Sequence, residues 1–515
     1  MAVVVGVDGA GRTYRLGRLV GAARAWWVVA GVELEAGLAA ARADGSTVVV
    51  DDAHRFEVDA LRVLAAAARG GVPVMISRRP TIDSPELAAL DEAAASSGGV
   101  ELAGPLGRDE VAALVAKVSG RPVSPEVAAA VRHESGGLAA VAAALASTNI
   151  RPAPPLVARV QRRFAVLPHG IATVARVLAL RLALPDDVLA AAAEIPAAEL
   201  PATLRVLRDE GLLVPDGERM IIAVADAVLG ELSAAERRRL HDGVARGLLA
   251  TNADPVDTAT QLRAAGVRTP AAAEIFRRAG EVSRFADPAA ALAWFDDAAD
   301  AGADPADVTA GRAEASALLG LPVDVDPRTE RPEVADRLAR LAGAAAAHDG
   351  RAERAADTLL TAAPALAVPV LVGVGRLDQA RAALPKTGGA LFAEAALTAA
   401  EDPDAAVPLL IEAAEAAERA VPTAVLPDTP HAVGAVVAVA VGDVAAAEHL
   451  LDRARVAGFG GPAAAERHRL LLAWARMRAG RYDTALTELA RPETGELPGR
   501  ERLLRAAIAA GIARR

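Results

Sequence analysis

The sequence predicts a multidomain chain that begins with a parallel α/β domain and continues almost entirely as helices. At 515 residues the chain is too long for a single hydrophobic core. Its first hundred residues alternate short β-branched runs with helical patterns, whereas the remainder is rich in alanine and has helical periodicity. Aromatic residues make up only 3 % of the chain, which is typical of closely packed helices with small side chains rather than of a β-sandwich.

Composition and charge exclude several classes of protein. Cysteine is absent, so disulfides, thiolate metal sites and cysteine nucleophiles are excluded. A net charge of −10 provides no general attraction to nucleic acid or to an anionic membrane. The N-terminus enters a strand directly rather than through a signal peptide, and the apolar runs are too short or too broken to span a bilayer. We therefore expect a cytoplasmic protein with no membrane contact.

The first candidate site is a glycine-rich loop directly after the first predicted strand, residues 2–6. The loop reads G-x-x-x-x-G-[K/R]-T and contains Gly6, Gly9, Gly11, Arg12 and Thr13, with Arg12 in place of the usual lysine. In a phosphate-binding loop the glycines turn backbone N–H groups onto the phosphates and the threonine hydroxyl holds Mg²⁺. The alternative is an ordinary connection between a strand and a helix.

Two carboxylates follow a second apolar strand, Thr47 to Val50. At this place Asp51 would hold the metal together with Thr13, and Asp52 would position a water for attack. The alternative is a solvated strand end in which Asp52 caps a helix.

A further predicted strand over residues 72–80 ends in two arginines, Arg78 and Arg79. The carboxyl ends of parallel strands share one edge of a sheet, so Gly6, Asp51 and Arg78 should lie close together. Arg78 is then a candidate sensor of the γ-phosphate, and the alternative is a surface loop.

The remaining patterns divide the chain into four predicted domains. Residues 1–104 form the α/β domain, and 105–150 contain three amphipathic helices that resemble a small lid. Residues 151–250 contain helices followed by a predicted hairpin with its turn at Asp216-Gly217, a pattern typical of a winged helix. From 251 to 515 only helix pairs follow.

The helix pairs of residues 251–515 contain fragments that resemble tetratricopeptide units, at 291–298, 375–380 and 480–485. Such units stack into a superhelix because none of them buries its apolar face alone, and the concave side binds a ligand or partner. The alternative is an inert helical array.

The order of these parts resembles the signal-transducing NTPases of the STAND class, specifically the large ATP-binding LuxR-type (MalT-like) transcriptional regulators. The resemblance covers most of the chain. Residues 48–54 look like the family's second nucleotide motif, and residues 76–80 look like its sensor strand. Residues 135–138 stand at the position of its lid motif, and residues 232–241 are similar to the helix after its winged helix. The resemblance implies that ATP and ADP select different domain arrangements while the repeats read an inducer.

Three positions depart from the family pattern. Arg12 replaces the loop lysine, Gly137-Leu138 lacks the lid proline, and Ile221 stands where a histidine usually contacts ADP. The family's C-terminal helix-turn-helix is not found before residue 515, and the candidate recognition helix, Pro201 to Glu210, is nearly balanced in charge. We therefore expect no specific DNA binding by this chain alone.

Two hypotheses follow from these patterns. In the first, the chain is a regulatory switch that binds ATP or ADP with Mg²⁺ and hydrolyses ATP slowly or not at all, because the arginine fork fits the lysine position poorly. In this hypothesis Gly6, Gly9, Gly11, Arg12, Thr13 and Arg78 contact nucleotide, Thr13 and Asp51 hold the metal, and Asp52 acts in catalysis. In the second, the chain is a nucleotide-free helical-repeat scaffold. The candidate partners are an inducer or protein on the repeats and a second copy of the chain.

Overall fold

A computed structural model describes residues 1–28, 33–82, 84–97, 99–148, 151–321, 323, 331–385, 390–420, 424–491 and 497–514. The chain divides into two compact units, Met1–Ala253 and Asp254–Arg515. Unit 1 contains a small parallel sheet with helices, and the described part of unit 2 is all helical. This layout confirms the predicted division into an N-terminal α/β region and a long helical region. The finer division of unit 1 into three domains stays a prediction.

The sheet of unit 1 has five parallel strands in the spatial order β2-β3-β4-β1-β5. They are β1 (Ala2–Val5), β2 (Ala25–Val28), β3 (Thr47–Val50), β4 (Val74–Arg78) and β5 (Val100–Leu102). β1 and β3 are fully apolar on both faces because helices cover both sides of the sheet. The alternating pattern also predicts a strand over residues 26–30, of which residues 29 and 30 lie outside the described residues.

The helices of unit 1 alternate with the strands and then continue without them. They are α1 (Arg12–Val20), α2 (Leu34–Asp44), α3 (Val58–Arg69), α4 (Pro85–Ser97), α5 (Arg108–Ser119), α6 (Pro125–Ser135), α7 (Ala139–Ala146), α8 (Pro154–Phe164), α9 (His169–Ala179), α10 (Asp186–Ala192), α11 (Leu200–Asp209), α12 (Ile222–Glu231) and α13 (Ala234–Ala250). The sequence patterns above do not include α4, whose apolar residues show little helical periodicity.

One hydrophobic core joins one face of the sheet to the helices that follow it. Val4 and Val49 lie in the same buried cluster as Val141 of α7, Leu204 of α11 and Val244 of α13. The regions predicted as lid and winged helix therefore share their core with the α/β domain, and their helices are held against the glycine loop.

The predicted wing is smaller than the sequence indicates. Around the turn at Asp216-Gly217 the antiparallel pairing is a single bridge between Leu213 and Met220, and α12 begins at Ile222. The prediction of a second strand through Ile222 was wrong because the alanine-rich residues after it favour a helix.

Unit 2 is a succession of helices in which sequence neighbours pack against each other. They are α14 (Pro255–Ala265), α15 (Pro270–Ser283), α16 (Pro288–Asp300), α17 (Pro305–Leu318), α18 (Pro332–His348), α19 (Ala352–Ala362), α20 (Pro364–Gly373), α21 (Leu377–Ala383), α22 (Leu391–Glu401), α23 (Pro403–Arg419), α24 (Pro430–Val441), α25 (Val444–Ala457), α26 (Gly461–Arg478), α27 (Tyr482–Leu489) and α28 (Gly499–Ala513). Several begin with an Asp or Thr cap followed by proline, as at Asp254-Pro255 and Thr429-Pro430, which fixes their starts.

Small residues bring these helices close together. A Cβ atom on Gly280 of α15 would lie 2.7 Å from the Phe295 ring of α16, and one on Gly311 of α17 would lie 2.2 Å from the same ring. The fully buried phenylalanine therefore occupies space that only glycine leaves free on both neighbouring helices.

Candidate functional site

The glycine loop lies at the carboxyl end of β1, between the strand and α1. Gly9 and Gly11 have φ angles of 84° and 89°, in the left-handed region that glycine adopts without strain. Among the described residues, none of the backbone hydrogen bonds is donated by the N–H groups of Gly9, Gly11, Arg12 or Thr13. The loop therefore presents four free backbone donors together with the positive end of a helix, which is the local structure of an anion site.

Arg12 is buried beneath this loop rather than extended over it. Its guanidinium donates to the Gly6 carbonyl oxygen at 2.6 Å and to the Asp52 carboxylate, and its residue exposure is 6 %. Burial lowers the pKa of Arg12, while Asp52 and Asp8 act in the opposite direction. Because the Gly6 and Asp52 oxygens already accept these hydrogen bonds, Arg12 joins the glycine loop to the segment that follows β3.

The two residues predicted to hold a metal contact each other. The Thr13 hydroxyl donates to the Asp51 carboxylate at 2.6 Å, and the Ser77 hydroxyl from β4 also donates to Asp51. Mg²⁺ prefers one or two protein oxygens and completes its shell with water and phosphate, so this pair fits its needs. Within the described part of the chain no cluster of three or more histidine or acidic side chains could bind a metal by itself.

Asp52 has an unusual backbone conformation at the end of β3. Its φ of 56° and ψ of 46° place it in the left-handed region, and its N–H donates to the Ser77 hydroxyl at 2.9 Å. Such a conformation costs about 1 kcal/mol or more in a residue other than glycine and is characteristic of functional sites. The turn directs the Asp52 side chain toward Arg12, where it also lies 3.4 Å from Arg55.

Asp8 is the most heavily engaged loop residue, and the sequence reasoning did not select it. Its carboxylate accepts hydrogen bonds from Arg159 and Arg163, both on α8, and its N–H donates to the Asp209 carbonyl oxygen at 2.8 Å. Asp8 is buried, and burial lowers the pKa of Arg159 while Asp8 raises it. An internal carboxylate thus pairs with two arginines beside the loop.

The space around the loop is also closed on its other sides. A Cβ atom on Gly9 would lie 2.7 Å from the Arg159 guanidinium, and one on Gly211 would lie 2.1 Å from the Asp8 carbonyl oxygen. The Ala140 N–H at the start of α7 donates to the Gly9 carbonyl oxygen at 3.0 Å. The elements predicted as lid and winged helix therefore contact the loop directly.

The two arginines at the end of β4 face different surroundings. The Arg78 guanidinium donates to both oxygens of Asp91 on α4 and to the carbonyl oxygens of Arg79 and Pro80. Arg79 instead pairs with Glu210 at 2.8 Å, its Nε is buried without a hydrogen-bond partner, and Glu210 also lies 3.0 Å from Arg163. The structure therefore brings Arg79, rather than Arg78, to the loop residues.

His54 is a second residue that the sequence reasoning did not place in the site. Both ring nitrogens are buried and have no partner among the described residues. Burial and the neighbouring Arg79, Arg12 and Arg55 lower the pKa of His54 to about 3. A neutral imidazole with one free donor and one free acceptor therefore lies in cationic surroundings.

The position where a family histidine was expected is apolar here. Ile221 is buried, and a Cβ atom on Gly136 would lie 3.3 Å from its side chain. Gly136 and Gly137 both have positive φ angles, and a Cβ on Gly137 would lie 2.9 Å from Pro105. Glycines at these positions let the turn before α7 pack closely against Ile221 and Pro105.

No protein-family model matches the sequence, and no curated protein matches it either. In the part of the chain that the structure describes, no helix is both long enough and apolar enough to cross a membrane. The resemblance to STAND-class regulators therefore remains an expectation from the motifs.

Proposed function

We propose that unit 1 is a nucleotide-responsive regulatory module that binds ATP or ADP with Mg²⁺ at the loop between β1 and α1. The observation that carries the proposal is the presence of four free loop N–H groups beside Thr13, Asp51 and a group of arginines. A phosphate needs many donors at once, and a glycine loop at a helix N-terminus supplies them.

The arginines around the loop provide the regulatory part of the proposal. Arg159 and Arg163 contact Asp8, and an incoming phosphate would compete with this carboxylate for the same two guanidinium groups. Because both arginines lie on α8, a nucleotide that displaces Asp8 would change how the loop is fastened to the helices behind it. Nucleotide binding would then replace the Asp8 carboxylate with a phosphate at Arg159 and Arg163.

Hydrolysis is proposed to be slow or absent. The Arg12 guanidinium is held by Gly6 and Asp52, so it does not extend toward a transferring phosphoryl group in this arrangement. The same contact occupies Asp52, the residue predicted to position water. Efficient phosphoryl transfer requires preorganised charge at the reacting group. In this geometry Arg12 and Asp52 contact each other and do not supply that charge.

A nucleotide-free scaffold is the second candidate function, and a specific observation favours it. Most of the charge at the loop is already paired, with five arginines against four carboxylates: Arg12, Arg55, Arg79, Arg159 and Arg163, and Asp8, Asp51, Asp52 and Glu210. A network in which the cations already have carboxylate partners gives a bound anion little additional attraction.

Calorimetric titration with ATP and ADP, with and without Mg²⁺, distinguishes these two functions. The nucleotide switch predicts saturable binding that weakens about tenfold in Arg159→Gln, because one charge-assisted phosphate contact is lost. Arg162→Gln is the matched control, since Arg162 lies on the same helix and is exposed. The absence of binding to wild type at millimolar nucleotide would reject the switch and favour the scaffold.

We further propose that unit 1 does not read DNA sequence through its predicted recognition helix. Leu204 and Leu207 of α11 are buried, and Asp209 and Glu210 at its end contact the loop, Arg79 and Arg163. A mobility-shift assay at about 0.15 M salt, where non-specific phosphate attraction is weakened, tests this proposal. A sequence-specific shift by the purified chain would contradict it.

A further inference from the structure

Unit 2 contains a cavity that the nucleotide proposal does not use. It has a volume of about 600 Å³ and is bordered by α17, α18, α26, α28 and the segments that join them. Its apolar wall includes Phe285, Leu318, Leu341, Val425, Phe459 and Leu497. Cavities of this size and lining are the usual sites of small organic ligands, which bury most of their surface in them.

One side of the cavity is a half-buried ion pair that is already complete. Asp428 accepts hydrogen bonds from Arg467 and Arg500 and from the Thr429 N–H. Burial alone would raise the pKa of Asp428, but the two arginines lower it, so the group is ionised. His348 is also satisfied, since its two ring nitrogens contact the Leu426 carbonyl oxygen at 3.1 Å and Arg500 at 3.0 Å.

His468 differs because one of its nitrogens is free. The residue is fully buried and lines the cavity, and its Nδ1 has no partner among the described residues. Its Nε2 lies 2.7 Å from the Thr429 hydroxyl, which also accepts the Ala432 N–H at 3.1 Å.

The hydrogen bonds of Thr429 determine which nitrogen of His468 carries the proton. The Thr429 hydroxyl already accepts the Ala432 N–H, and among the described residues His468 Nε2 is the one atom within hydrogen-bond distance to which it can donate. The hydroxyl therefore donates to Nε2, and the ring proton resides on Nδ1. His468 thus carries an unsatisfied, buried N–H donor, which favours a ligand with an acceptor atom.

Arg502 adds a positive charge at the exposed side of the cavity. It lines the cavity, and no ion pair joins it to another described residue. The other charges here are paired, since Asp349 contacts Arg351, and Asp428 and Glu501 contact Arg467 and Arg500. Among the described charged residues at the cavity, Arg502 is therefore the one cation without a carboxylate partner.

We propose that this cavity binds a small organic carboxylate with an apolar body. The apolar wall takes the hydrocarbon part, His468 Nδ1–H donates to an acceptor atom of the ligand, and Arg502 attracts the negative charge. The site is independent of the nucleotide site, so either proposal stands if the other fails.

Calorimetry with two probes of equal length tests the proposal on the full chain. Decanoate carries the charge, and decanamide has the same apolar body without it. We expect decanoate to bind once per chain with a dissociation constant on the order of 100 µM. Decanamide should bind about tenfold more weakly because it lacks the charge-assisted contact.

Variants separate the cavity from general surface binding. Ala345→Phe fills the cavity from α18 and should abolish binding of both probes, with Ala317→Phe on α17 as a second way to fill it. Arg502→Gln should weaken decanoate about tenfold and leave decanamide unchanged. Arg478→Gln, an exposed arginine on α26, should change neither.

Circular dichroism and the thermal midpoint establish that each variant is folded. The absence of saturable binding of both probes to wild type at about millimolar concentration would overturn the proposal, since tighter binding is expected of a preformed cavity. Unchanged decanoate binding in a folded cavity-filling variant would also overturn it. Equal affinities of Arg502→Gln and wild type for decanoate would show that Arg502 does not recognise a carboxylate, and the proposal that the ligand is a carboxylate would be wrong.

Discussion

Both units hold a carboxylate between two arginines, buried in unit 1 and half-buried in unit 2, and the surroundings of the two groups differ. In unit 1 Asp8 is paired with Arg159 and Arg163, which lie 151 and 155 positions away in the sequence. In unit 2 Asp428 is paired with Arg467 and Arg500, at separations of 39 and 72. The first pair lies beside free backbone N–H groups, and the second borders an apolar cavity.

This difference shows that an ion pair does not by itself identify a site. Pairing offsets the cost of burying charge in both places. What distinguishes them is the chemistry left unsatisfied nearby: backbone donors that suit a polyphosphate in unit 1, and one histidine N–H with a single cation in unit 2. The predictions below test whether the two pairs have different roles.

The largest effect is expected at Asp428, where the pair supports the fold. Asp428→Asn should lower the free energy of unfolding by about 3 to 5 kcal/mol, because it leaves two arginines without their half-buried partner. Urea denaturation followed by circular dichroism measures this change. Asp349→Asn, at the exposed edge of the same cavity, should change stability by less than about 0.5 kcal/mol. A comparable loss in both variants would show that the Asp428 pair has no special structural role.

A smaller loss is expected when the anchor under the glycine loop is removed. Arg12→Ala should destabilise the chain by about 2 to 3 kcal/mol, since the Gly6 carbonyl oxygen and Asp52 lose a charged donor. Arg18→Ala, an exposed change on the same helix, is the control for the same denaturation experiment. Equal stability of Arg12→Ala and wild type would mean that the buried arginine is not an anchor.

Acidification should affect both regions in the same direction. Burial, nearby His431 and Arg467 together lower the pKa of His468 to about 4, while Asp428 opposes them. The pKa of His54 is about 3. Both values lie below the usual 6.5, so the unfolded state binds protons first and stability falls as pH drops from about 6.5 toward 4.

The slope of this pH dependence is at most about 1.4 kcal/mol per pH unit for each histidine. His468→Gln should flatten the curve more than His54→Gln, because the His54 ring is only partly buried and is screened by solvent. Urea denaturation at several pH values between 7 and 4.5 gives the comparison. A curve that keeps its full slope in both variants would assign the pH dependence to other groups.

The smallest effect separates Arg78, the last residue of β4, from Arg79, which follows it. Arg79→Gln should weaken ATP binding about tenfold, since Arg79 faces the loop residues and its Nε is free. Arg78→Gln should leave ATP affinity nearly unchanged and instead reduce stability, because it breaks the pair with Asp91. The reverse pattern would restore Arg78 as the phosphate sensor predicted from the sequence.

Much of the sheet and part of the site could be predicted because local sequence determines them. The runs at β1 and β3 are apolar on both faces, which is typical of buried parallel strands, and parallel strands bring Thr13 and Asp51 to one edge. The choice between Arg78 and Arg79 depends on strand parity. Side chains alternate along a strand, so Arg79 shares the face of Ser77, which contacts Asp51.

The rest of the site depends on contacts between distant parts of the chain. Nothing near Asp8 in the sequence indicates that Arg159 and Arg163 will reach it, because an amphipathic helix such as α8 gives no sign of what its polar face meets. The cavity of unit 2 has the same origin, since its walls come from helices far apart in the sequence. One local signal could have indicated that Asp8 is paired. An acidic residue inside a loop that favours anions is repelled by a bound anion unless a cation lies nearby.

The central claim is that Asp8 occupies the arginines that a bound phosphate would use, and Asp8→Asn tests it most directly. The substitution removes the competing charge while retaining the size of the side chain. Isothermal titration with Mg²⁺-ATP compares wild type, Asp8→Asn and Asp59→Asn, an exposed control on α3, with circular dichroism to establish that each is folded. The account predicts that Asp8→Asn binds about tenfold more tightly than the other two, because Arg159 loses its competing carboxylate and Arg163 keeps only Glu210. Weaker ATP binding by folded Asp8→Asn, or no binding by any of the three proteins, would contradict it.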